Sequence, residues 1–210
     1  MTLPTREQAH QIVMNMGQEL QALKIHYMHS FAHYLRVAQN AEQIAKATGF
    51  LDVDKAYIMG LLHDYGQIDE TRDKKNFHGL IGYKKLMAMG YDEAARASLV
   101  HSFFEKEKIT PERYKSYDKA SIIECAKLLA QRPFDDYDRL VHMADLMALG
   151  AHAVTVEARF EYLAVAYSID DELLKDKYAL ACDLKQYFDN LCQCDIYDIL
   201  KIRTPKKHLD

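Results

Sequence analysis

Apolar residues return every three or four positions along most of the chain, while the alternation of a half-buried strand is scarce. Thr5-Arg-Glu-Gln8 has the form of a capping box and opens a first helix that ends near Leu23. A second helix is expected from about Ser30 to Thr48, with Val37, Ala41, Ile44 and Ala45 as its apolar stripe and Gly49 as its stop. Asp52 or Asp54 starts a third, which carries Tyr57 to Tyr65 and stops at Gly66. The polar stretch from Asp69 to Asn76 reads as a loop. Helices are then expected from Phe77 to Met89 and from Asp92 to Phe104, separated at Gly90. Beyond a charged break and a short helical turn, others follow over Asp118 to Gln131, Asp135 to Leu149, Val154 to Tyr167 and Asp170 to Cys192. Pro133 and Gly150 close two of these. Nothing in the pattern reads as a repeat or a linker, so the expected fold is one all-α domain, a helical bundle over 1–210.

Composition changes that picture in one place only. Lys and Arg total 27 against 31 Asp and Glu, a formal charge of −4, which argues against a protein that grips a nucleic-acid polymer by charge. A hydrophobic fraction of 49% with 28% charged residues excludes a disordered chain. The apolar runs, such as Tyr57 to Leu62, are too short to span a bilayer, so no membrane partner is expected. The N-terminus turns polar at once, without the pattern of a signal peptide, and four cysteines without zinc-ligand spacing suit free thiols in a reducing, cytoplasmic setting. Ten histidines are the unusual count.

Several of those histidines fall beside aspartates on separate helices. The second helix carries His33-Tyr-Leu-Arg-Val37, and the third ends in Gly60-Leu-Leu-His-Asp-Tyr-Gly66. Asp145 lies in Val141-His-Met-Ala-Asp145, with His78 and His101 on the helices between. Imidazole and carboxylate together suit Mn, Fe, Co or Zn as divalent ions. Adjacent ligands such as His63 and Asp64 diverge by about 100° on a helix, so they face one centre only if other helices close around them. Gly60, one turn before His63, would allow that close approach.

These residues resemble the HD-domain superfamily of metal-dependent phosphohydrolases: a His, a His-Asp pair and a distant Asp, in order, on helices of one bundle. The resemblance runs from about Ser30 to Gly150, within a metal-binding core of about 26–150, and leaves supporting helices over about 151–200. It implies that His33, His63, Asp64 and Asp145 hold one divalent metal ion. In binuclear members, two further histidines matching His78 and His101 hold a second, with Asp64 bridging. One or two ions are therefore expected, from Mn, Fe, Co, Zn or Mg, with Fe or Mn favoured. The implied activity is attack of metal-activated hydroxide on the phosphorus of a small phosphorylated metabolite, a nucleotide above all.

Asp64 and Arg36 are the candidate catalytic residues. Arg36, three residues after His33, either clamps a phosphate or pairs with a neighbouring carboxylate. Gln67, Lys74 and Lys75 are candidate substrate contacts. Gln67 stands where many relatives carry Lys or Glu, and can only exchange a hydrogen bond. His29 shares the face of His33 and competes for its role, whereas His142 reads as a packing or supporting residue. The helices beyond Val154 hold no comparable cluster and are expected to complete the bundle or support a homodimer. Two other readings remain: a binuclear-iron oxygenase on the same ligands, and a regulatory module that binds a nucleotide.

Overall fold

The capping box forms as expected in the computed structural model, which describes residues 2–22, 31–73, 75, 77–103, 105–166 and 171–202. Thr5 N donates to Gln8 Oε1 at 2.8 Å and Gln8 N to Thr5 Oγ1 at 3.2 Å, opening α1 (Arg6–Ala22). Next comes α2 (Phe31–Thr48), whose stripe of Val37, Ala41, Ile44 and Ala45 is wholly buried and which stops where Gly49 adopts φ +76°. Asp52 is the N-cap of α3 (Val53–Leu62), its side chain accepting from Lys55 N at 2.9 Å. Removing that acceptor in Asp52→Ala should cost about 1 kcal/mol. Thermal melting should register it as a fall of roughly 2–4 °C.

The remaining helices are α4 (Gln67–Arg72), α5 (His78–Ala88), α6 (Asp92–Val100), α7 (Lys119–Leu129), α8 (Asp136–Leu146), α9 (Val156–Ala166), α10 (Asp171–Cys192) and α11 (Ile196–Ile199). Among the described residues the fold is all-α but for one small hairpin. Several elements differ from the sequence expectation. The stretch read as a loop holds α4, whose first turn carries Asp69 and Glu70, acidic residues favoured beside a helix N-terminus. The helix expected to reach Leu149 ends at Leu146; β1 (Ala148–Leu149) then pairs antiparallel with β2 (His152–Ala153) around Gly150 at φ +56°. A short α11 follows the last expected helix, started by Asp195, which accepts from Tyr197 N at 2.9 Å.

Two large apolar clusters lie on either side of the α2–α3 pair. One joins α2, α8, α10 and α11 through residues such as Val37, Ile44, Met143 and Phe188. The other joins α1, α2, α3 and α6 through Val13, Tyr34, Leu61 and Ala94. The pair packs closely because Gly60 has no side chain: a Cβ there would lie 3.0 Å from Ala38 Cα and 3.1 Å from Val37 O. Buried Asn40 ties α2 to the end of α8, its amide donating to Ala144 O at 3.1 Å and Met147 O at 2.9 Å. Arg96 and Asp138 lock α6 to α8 through a buried ion pair at 2.9 Å. These cross-links fix the ends of α2, α3, α6 and α8 relative to one another.

Candidate metal centre

Those helix ends bring the histidines and aspartates together. His33 comes from α2, His63 and Asp64 from the turn that ends α3, His78 from the first residue of α5, His101 from the C-cap of α6, and Asp145 from the last turn of α8. The helix expected to run through Tyr65 stops at Leu62, although His63, its C-cap, keeps helical dihedrals of φ −55° and ψ −37°. His63 Nε2 lies 3.4 Å from Asp64 Oδ2.

Two ligand sets share one carboxylate. His33, His63 and Asp64 offer three donor atoms within 4.8 Å of one another, and so do Asp64, His78 and His101. Asp145 Oδ1 completes the first set, 3.1 Å from His33 Nε2 and 3.7 Å from His63 Nε2. Asp64 Oδ1 faces the second, 3.1 Å from His101 Nε2 and 3.3 Å from His78 Nε2.

The tautomers follow from the outer partners. His63 Nδ1 donates to Gly60 O at 2.7 Å, and His101 Nδ1 donates to Ser98 O at 2.8 Å. Because a carbonyl oxygen only accepts, each Nδ1 carries its hydrogen, and in the neutral imidazole each Nε2 then presents a lone pair. His78 Nδ1 meets the Glu70 carboxylate in the same way. His78 Nε2 and His101 Nε2 are only 2.9 Å apart, both directed at an anionic oxygen. Buried His63 Nε2 has no hydrogen-bond partner among the described residues. Lone pairs converging out of water on a carboxylate call for a cation, so this donor set fits one or two divalent ions.

The charges around the cluster agree. Burial alone would push the Asp64 carboxyl up, but the imidazoles of His63, His101 and His78 hold it well below the usual carboxylate range. Asp145 is likewise held down, against burial, by His33 and the Arg159 guanidinium. Burial works against a charged His63, yet Asp64 and Asp145 raise it to about 9, so that without a cation its Nε2 holds a proton, which a bound metal ion would displace.

A cleft of about 230 Å³ opens over the second set. Its polar wall includes Asp64, Gln67, Glu70, Ser102, Tyr117 and Asp145; Leu146, Phe160, Leu163 and Leu174 form an apolar wall, beside Arg159 and Lys177. Arg159 is 7% exposed, with Nη2 3.8 Å from Asp145 Oδ1 and a buried Nε that lacks a hydrogen-bond partner among the described residues. Burial, with Arg113 nearby, pushes the Lys177 ammonium down to about 8.

All six expected ligands therefore converge, and Gln67 lines the cleft. Arg36 does not: its Nε donates to Ala151 O in the hairpin turn at 2.8 Å, and it is not part of the cleft wall. Three residues along a helix leave Arg36 about 60° from His33, enough to point it at the hairpin. Lys75 is exposed in the turn between α4 and α5, away from the cleft. Lys74 and His29 lie outside the described residues. His142 is buried on α8 beside the Phe134 ring, the supporting position expected of it.

Arg159, Lys177 and Glu70 were not foreseen from the sequence. Arg159 had a signal: it interrupts the apolar stripe Val156, Phe160 and Leu163, and a charge on a buried helical face demands a partner. Glu70 had none, because only the turn from α4 into α5 carries it to His78.

A family model described as the HD domain matches residues 30–150, more than half of the 210-residue chain. No curated protein and no solved structure matches the chain. Among the described residues, no helix is long and apolar enough to cross a membrane.

Proposed function

The chain belongs to the HD-domain family, and on that premise we propose that it is a metal-dependent phosphohydrolase acting on a small phosphorylated metabolite, a nucleotide in our reading. The observation that carries this reading is the pair of ligand sets sharing Asp64, beneath a cleft that also presents Arg159 and Lys177. Divalent ions, Fe or Mn by preference, would supply Lewis acidity at the phosphoryl oxygens and activate water near neutral pH. His33, His63, Asp64 and Asp145 would hold one ion, and Asp64, His78 and His101 the other.

The chain's own groups do the rest. The unpartnered Nε of Arg159 donates to a phosphate oxygen, taking the role that the sequence assigned to Arg36. Lys177 adds a second positive charge, and Gln67 a hydrogen bond. Leu146, Phe160, Leu163 and Leu174 take the apolar face of a base and keep water from it. Two cations over a metal-ligating cluster favour an anionic substrate, which supports hydrolysis of a phosphoester over oxidation of a neutral molecule.

The test is phosphate release from a nucleotide panel by chain reconstituted with Mn²⁺ or Fe²⁺ under anaerobic conditions. Release that needs the metal supports the reading. Turnover that appears only when dioxygen is admitted would move the oxygenase to the front. Arg159→Ala and Lys177→Ala should each raise KM by about tenfold, roughly 1.4 kcal/mol of lost binding. Steady-state kinetics checks this, and an unchanged KM in both variants removes them from the substrate site.

A further inference from the structure

Three imidazoles of the centre need an acceptor at Nδ1, and the fold supplies it in two ways. His63 and His101 end helices, so the carbonyl three residues earlier, Gly60 O or Ser98 O, lies within reach of Nδ1. His78 begins a helix and has no preceding turn of its own. The carbonyl three residues before it, Lys75 O, accepts from Asp118 N at 3.0 Å instead. Glu70 of α4 fills the gap. Its Oε2 accepts from His78 N at 3.0 Å and also meets His78 Nδ1, so one carboxylate oxygen both caps the start of α5 and orients the ring. The other oxygen, Oε1, accepts from Tyr117 OH at 3.4 Å. Glu70 and Tyr117 both line the cleft.

We propose that Glu70, steadied by Tyr117, is the positioning residue that builds the second cation position: it fixes His78 as an Nε2 donor, so occupancy between Asp64, His78 and His101 depends on Glu70, while the position at His33, His63 and Asp145 does not. This rests on the two-ion reading above. A carboxylate behind a ligating imidazole orients the ring and makes Nε2 a better donor than a carbonyl acceptor does. At the first position His63 takes its acceptor from its own helix. The second ion rests on a side-chain acceptor behind His78 as well as on the backbone acceptor behind His101, which makes it the one more sensitive to substitution behind its ligands.

The experiment titrates metal-free full-length chain with Mn²⁺ or Co²⁺ anaerobically, for the wild type, Glu70→Ala, Glu70→Gln and Tyr117→Phe, reading stoichiometry and both affinities. The wild type should bind two ions. Glu70→Ala should weaken the second by roughly 10- to 100-fold and leave the first unchanged. Glu70→Gln, which keeps an acceptor oxygen but not the charge, should weaken it about tenfold, and Tyr117→Phe should have the smallest effect. If Glu70→Ala fails to fold, Glu70→Gln decides. Two ions bound at wild-type affinity by the folded Glu70 variants overturn this role and leave the two-ion reading standing. Equal weakening of both ions overturns the selectivity. A wild-type chain that binds fewer than two ions overturns the two-ion reading and this role with it.

Discussion

Asp64→Ala should lower kcat/KM for phosphate release by at least about 10³-fold, a loss of roughly 4 kcal/mol of transition-state stabilisation. Asp64 is the residue common to both ligand sets, with Oδ2 3.4 Å from His63 Nε2 and Oδ1 3.1 Å from His101 Nε2. Its removal takes an anionic donor from each position at once and leaves histidine lone pairs facing one another, 2.9 Å apart between His78 and His101. Metal content should therefore fall with activity, below what truncation of any single histidine causes. The fold should survive, because Asp64 belongs to none of the apolar clusters that hold the helices together. Metal analysis beside phosphate release and far-ultraviolet circular dichroism checks all three. A folded variant that keeps its metal and near-full turnover would sink the assignment.

Gly66→Ala should be the most disruptive single-carbon change near the centre, lowering stability by about 3 kcal/mol. In a chain of this size that is a fall in Tm of roughly 6–12 °C. Backbone strain is not the cause, since Gly66 has an ordinary φ of −83°. Space is the cause: a Cβ there would overlap His78 O and lie 2.5 Å from Gly82 N, and both are backbone atoms of α5. A helix backbone cannot swing aside as a flexible side chain does, so α4 and α5 would have to separate. His78 is the first residue of α5, and the separation would carry its Nε2 away from Asp64 Oδ1, 3.3 Å distant in the intact protein. The variant should lose the second ion before the first. Thermal melting together with metal stoichiometry measures both effects, and an unchanged Tm with two ions retained would contradict the packing argument.

How much of the centre was legible depends on what each residue needed from the fold. His33, His63, Asp64, His78, His101 and Asp145 announce themselves by residue type, order and place near helix ends, and all six meet in the structure. Helix starts with side-chain caps were legible too, as at Thr5 and Asp52. The hairpin after α8 was not: Met147 to Leu149 continue an apolar run that a helix could equally carry, and tertiary bonds decide the outcome. Val154 N donates to Met147 O at 3.0 Å, and Arg36 fastens the hairpin turn through Ala151 O. That use of Arg36 is why the same-face rule misled. The rule places two side chains on one side of a helix and is silent about which neighbour claims the guanidinium. Arg159 and Lys177 escaped for a different reason. Their helices carry no comparable cluster of histidines and aspartates, and only the packing of α10 against α8, and of α9 against α10, brings them to the cleft.

The most direct measurement of the central claim is hydrolysis of the best nucleotide substrate by Mn²⁺-loaded chain in ¹⁸O-labelled water, without dioxygen, with the products weighed by mass spectrometry. Attack of water on phosphorus predicts one ¹⁸O atom in each phosphate released and none in the alcohol product. Label in the alcohol, or product that forms only in the presence of dioxygen, would contradict it.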